Sequence, residues 1–145
     1  MTYDINTMTA QEVFDASGCH LIRQGAQSVT PLTCTYRGPE GRMCAAGIFI
    51  PDDVYAKHAD PDSEFGNALE AQSWSVLAKQ LGLSAHTELV QELQVVHDDA
   101  EEPDPDDFVR YVVEELRYIA TRHKFNTAAI EAALDERNAN AARND

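Results

Sequence analysis

The sequence predicts an α+β fold, a mostly helical single domain in which one β-hairpin packs against four or five helices. Three observations carry this expectation. Gly38-Pro39-Glu40-Gly41 is a turn set between segments that alternate in polarity. Apolar residues elsewhere recur at helical spacing and are bounded by capping residues, glycine or proline. A chain of 145 residues, 43% of them hydrophobic, can bury one sizeable core, and no Ser/Gly-rich linker divides it. The domain is therefore taken as residues 1–145, with an ordered core over about 9–137 and a polar C-terminal tail at 138–145 that frays.

In chain order, Thr9-Ala10-Gln11-Glu12 has capping-box form, and Val13, Phe14, Ser17, Leu21 and Ile22 continue it at helical spacing to a stop at Gly25. The hairpin follows. Pro39 suits the second position of a type I turn and Gly41 the left-handed position after it, so Gly38 faces Arg42, Tyr36 faces Cys44 and Cys34 faces Ala46. That register places Cys34, Tyr36, Cys44, Ala46, Ile48 and Ile50 on one apolar face, and Pro51-Asp52-Asp53 ends the strand and opens a helical turn through Tyr55. Leu69, Ser73, Val76, Leu77 and Leu81 mark the next helix, and Gly82 with Ser84 supplies a stop and a fresh N-cap. Leu89, Leu93 and Val96 stripe a further helix. Phe108, Val112, Leu116 and Ile119 stripe another beyond Pro103 and Pro105, and Asn126 caps a last one through Ile130 and Leu134.

The pattern Cys34-x-Tyr36-Arg37-Gly38-Pro39-x-Gly41-x-x-Cys44-Ala45-x-Gly47-x-x-Ile50-Pro51-Asp52-x-x-Tyr55, with Leu93-Gln94-x-x-His97-Asp98 downstream, resembles a family of small uncharacterised proteins from phages and prophages. The resemblance covers roughly residues 10–125 and departs from the family in the acidic stretch after Asp98. It implies a viral or mobile-element setting and brings no catalytic residues with it.

Charge is the second distinctive feature. The formal net charge is −14, and residues 51–107 hold fifteen acids against two lysines, Lys57 and Lys79. Asp98, Asp99, Glu101, Glu102, Asp104, Asp106 and Asp107 crowd around two prolines with no base between them. Such a run either stays extended and wet or presents a directional field to a basic surface, such as the nucleic-acid groove of a host protein. Direct nucleic-acid binding is disfavoured by the same charge.

Candidate chemistry centres on Cys44, His97 and Asp98, which supply a thiol nucleophile, its base and an orienting acid. Against it stands the core-facing register of Cys34 and Cys44, in which a thiol behaves as a small hydrophobe. Cys34 and Cys44 with His97 or His58 form a possible zinc set, although no Cys-x-x-Cys or His-x-x-x-His pair supports it. Asp60-x-Asp62-x-Glu64 imitates a calcium loop but has Phe65 where glycine is required. No metal or cofactor is expected. No apolar run reaches the length of a membrane span, the first residues lack signal-peptide character, and three cysteines without a disulfide framework fit a reducing compartment, so a cytoplasmic location is expected. The favoured reading is a non-enzymatic phage accessory protein that binds a host or defence protein with a basic surface through the acids from Asp98 to Asp107, inhibition of that protein being one consequence such binding could have. The alternative is a small cysteine- or metal-dependent enzyme using Cys44, His97 and Asp98.

Overall fold

Thr9 and Glu12 close the capping box and start the helix around which the chain is arranged. In the computed structural model, which describes residues 3–30, 34–59 and 69–144, the Thr9 hydroxyl accepts from the Glu12 amide at 3.1 Å and the Glu12 carboxylate from the Thr9 amide at 2.9 Å. Helix α1 spans Ala10–Gln24 and buries Val13, Phe14, Ser17, Gly18, Cys19, Leu21 and Ile22. Its small residues let neighbours close in. A Cβ on Gly18 would lie 3.0 Å from Ile130 Cγ2 and 3.2 Å from a Leu116 methyl carbon, so glycine here serves packing.

Helices α2 (Asp52–Ala59), α3 (Trp74–Leu81), α4 (Thr87–Asp99), α5 (Pro105–His123) and α6 (Ala128–Asn144) complete the fold. Helix α1 packs on α4, α5 and α6, α3 packs on α4, and α4 on α5. The stripes read on α4 and α5 are buried as their spacing predicts, and they join Phe14, Phe49 and Ile130 in one core. At the surface Arg117 grips Glu131 across α5 and α6, and Arg122 reaches Glu92 across α5 and α4. Among the described residues no helix is long and apolar enough to cross a membrane.

The α+β expectation is overturned: the fold is built of helices, and the described residues contain no strand or sheet. The predicted turn itself forms. Gly38 donates to the Arg42 carbonyl at 2.8 Å, Cys44 to the Tyr36 carbonyl at 3.3 Å, and Arg37 and Met43 make an isolated antiparallel bridge. Pairing ends there. Cys34 bridges to Val29 rather than facing Ala46. Ala46 takes helical dihedrals, and Gly47–Phe49 form one 3-10 turn where the second strand was expected.

Backbone accounting explains the loss, because each N–H and C=O needs a partner and here helix side chains supply it. Gln24 brackets Met43, accepting from its N–H at 2.9 Å and donating to its carbonyl at 2.9 Å. Met43 O also accepts from His20 at 2.8 Å. Ser17 donates to Ala45 O at 3.0 Å, and Gln94 accepts from Ala46 N at 3.0 Å. On the other limb the Glu70 carboxylate takes Tyr36 N at 2.7 Å and Arg37 N at 3.3 Å. Gly47 then crosses the Tyr36 carbonyl so closely that a Cβ would sit 2.1 Å from its oxygen.

Smaller expectations also change. Val76, placed on the apolar stripe, is 44% exposed, and Leu69 lies in a separate 3-10 turn, Leu69–Ala71. Ser84 does not cap α4; His86 holds that position in the left-handed region, and Thr87 donates to the Ser84 carbonyl at 2.6 Å. Helix α6 continues through Asn144, so most of the tail read as frayed is helical, although exposed. The Asp60, Asp62 and Glu64 spacing and the His58 side chain lie outside what is described.

Candidate functional site

Two faces of α4 set the site. Leu89, Val90, Leu93, Val96 and His97 are buried, whereas Gln91, Gln94, Val95 and Asp98, at helical spacing, line a cleft toward α3 and the chain at 34–36. His97 is fully enclosed. Its Nε2 accepts from the Ser28 backbone N–H at 2.8 Å, and its Nδ1 lies 2.8 Å from Asp98 Oδ1. Ser28 N–H can only donate, so Nε2 carries the lone pair and the ring's proton is on Nδ1, donated to Asp98. Gln94 donates to the same carboxylate oxygen at 2.8 Å, and the Gln27 amide donates to the carbonyls of His97 and Asp98 at 3.1 and 3.0 Å. The end of α4 is thereby latched to the segment after α1.

The structure brings His97 and Asp98 together, but with Cys34 and not with Cys44. Sulfur, ring nitrogen and carboxylate oxygen of Cys34, His97 and Asp98 all lie within 4.8 Å of one another. Cys44 is wholly buried, its sulfur accepting from Gly47 N at 3.3 Å, and burial pushes its thiol up to about 12. The cause is the lost register, which had placed both cysteines on one face.

Cys34 is not armed as a nucleophile. Burial, reinforced by the Asp98 charge and a hydrogen bond to it, pushes its thiol up to about 11, the reverse of an activated cysteine. The only ring lone pair of His97 faces Ser28, so the imidazole does not serve the sulfur as a base. The same tautomer decides the metal question: a cation on Nδ1 would displace its proton while Ser28 N–H still occupies Nε2. His97 is a brace between backbone and carboxylate, and the donor set does not fit a zinc centre.

Glu70 forms a second brace, one that motif reading missed. It accepts from Tyr36 N, Arg37 N and the Tyr55 hydroxyl, the last at 3.1 Å. Tyr36 donates its own hydroxyl to Gln72 O at 2.6 Å, and Arg37 lies over the Tyr55 ring while pairing with Asp52 at 2.7 Å. Glu70 and Asp98 both line the cleft of about 300 Å³, together with Cys34, Tyr36 and Trp74. Trp74 is 3% exposed and its indole N–H has no partner among the described residues. The available sequence signal was Gln91, Gln94 and Asp98 at helical spacing facing the chain's single tryptophan.

The acidic run divides at Pro103. Asp104 caps α5, accepting from Asp106 N at 2.8 Å and Asp107 N at 3.3 Å. Asp107 pairs with Arg110 at 2.8 Å, and Asp106 lies 3.8 Å from Arg137. These acids sit at a helix N-terminus, where the dipole favours them. Asp99, Glu101 and Glu102 are exposed at the C-terminal end of α4, where it does not, and no ion pair neutralises them among the described residues. Compared with family models, with curated proteins and with solved structures, the chain matches none.

Proposed function

We propose that this chain is a non-enzymatic binding protein, a phage or prophage accessory factor that engages a basic surface on a host or defence protein in the cytoplasm. The observation that carries the reading is the division of the acidic run, which leaves Asp99, Glu101 and Glu102 exposed and unneutralised next to the half-open Asp98 carboxylate. Their field adds to that of the last carbonyls of α4, so negative potential is concentrated at one end of one helix. The motif from Cys34 to Tyr55 supplies the phage setting by resemblance alone.

The test uses a partner captured from host lysate by the immobilised chain. The association rate is measured over a salt series for the wild type and for D99N/E101Q/E102Q, which spares the capping Asp104. A steered encounter gives a rate that falls steeply with salt and falls several-fold in the variant. Equal rates and a flat salt dependence would refute the reading.

A further inference from the structure

We infer that the cleft between α3, α4 and residues 34–36 is a receptor for one basic side chain, with its backbone carbonyl, from the partner protein. The inference rests on the preceding reading that a basic partner meets this side of the molecule, and it names where a cation is seated.

Three observations converge. Glu70 and Asp98 are two carboxylates on one cleft, and neither has a lysine or arginine within ion-pair distance among the described residues. The group paired with Asp98 is His97, whose single proton leaves it neutral, so the pair retains a full negative charge. The Asp98 side chain remains 41% exposed, open to an incoming group. Charges left this way at a concave surface favour a cation brought from outside.

Tyr36 and Trp74 form one wall of the cleft, their largely buried rings packed on each other with centroids 6.1 Å apart, so the carboxylates border apolar surface, where a charge contact is worth more than in open water. The buried indole N–H of Trp74 has no acceptor among the described residues, and an orphaned buried donor calls for one. A guanidinium has no acceptor to offer, but the peptide carbonyl beside it does. An arginine within a peptide segment therefore answers both demands, while a free amine or metal ion answers only the first.

The experiment follows the Trp74 indole N–H, a single resonance because the chain has one tryptophan. The probe is Nα-acetyl-arginine methylamide, and the control is Nα-acetyl-norleucine methylamide, which keeps the carbonyl and removes the charge. A saturable shift with a Kd on the order of millimolar is expected for arginine at low salt, and no saturation for norleucine. Replacing Glu70 or Asp98 would disturb the braces, so the variants are made at Val95, which lines the cleft and is 57% exposed. V95K should weaken arginine binding by about tenfold and V95E should retain or tighten it. No saturable shift, an equal response to norleucine, or equal affinity in V95K and V95E would overturn the inference. D99N/E101Q/E102Q separates the two readings: slowed partner association with intact arginine binding supports both. Arginine binding with salt-independent partner association keeps the cleft and removes the acidic-face reading.

Discussion

Replacing His97 with alanine should cost far more stability than removing a histidine from a surface site. The ring is fully enclosed and serves two partners at once, the Ser28 N–H and the Asp98 carboxylate. Loss of Nε2 strands the Ser28 N–H, worth about 1–3 kcal/mol for a buried donor, and loss of Nδ1–H removes a hydrogen bond to a carboxylate, worth about 1.5–3 kcal/mol. The terms overlap, because Asp98 can turn toward water and Gln94 still donates to it, so the expected cost is about 3–5 kcal/mol. H97Q, whose amide oxygen can meet Ser28 N–H, should lose about 1–3 kcal/mol and keeps the comparison usable if H97A does not fold. The assay is urea unfolding followed by Trp74 fluorescence and by far-ultraviolet circular dichroism. A loss below about 1 kcal/mol in H97A would refute the brace. So would nitrogen shifts that place the ring proton on Nε2.

Two further outcomes follow from the same geometry. Burial raises the thiols of Cys34 and Cys44 to about 11 and about 12, and the Tyr55 phenol to about 12. The folded chain thus holds protons that the unfolded chain releases from pH about 9 upward, and stability should fall as pH rises from about 9 to 12. Thermal unfolding across that window checks this, and thiol labelling of native protein near neutral pH should be slow at both cysteines. Gly47→Ala should destabilise by about 1–3 kcal/mol or prevent folding, since its Cβ would lie 2.1 Å from a backbone oxygen. Unfolding like that of the wild type would show that the crossing at Tyr36 is looser than described.

What the sequence made legible was local in origin. The start and stop of α1 depend on Thr9, Glu12 and Gly25, all within or beside the helix, and the core stripes of α4 and α5 depend on spacing alone. The Gly38–Arg42 turn was legible for the same reason. The missing strand was not, because the groups that compete for its backbone come from elsewhere; Gln94 lies 48 positions from Ala46. His97 and Asp98 were recognised by type, but their thiol neighbour was misassigned once the register beyond Cys44 failed. Glu70 and Trp74 belong to no motif, and their meaning arises only where the 3-10 turn, α3 and α4 meet.

The acids of this chain divide by what their surroundings give them. Asp104, Asp106 and Asp107 are answered by helix amides and arginines, so they contribute order at the start of α5. Glu70 and Asp98 are answered by backbone N–H groups, a tyrosine, a glutamine and a neutral histidine. These contacts hold the chain at Ser28, Tyr36 and Arg37 where a strand partner would otherwise do so, and they fix the carboxylates in place without cancelling their charge. Bracing a loop with anions therefore leaves a preorganised negative cleft, one that loses little entropy when a cation arrives. Asp99, Glu101 and Glu102, which have no ion pair among the described residues, extend the field outward from it. The same residue type thus stands braced or bare at neighbouring positions, and helix polarity separates Asp99 at the end of α4 from Asp104 at the start of α5.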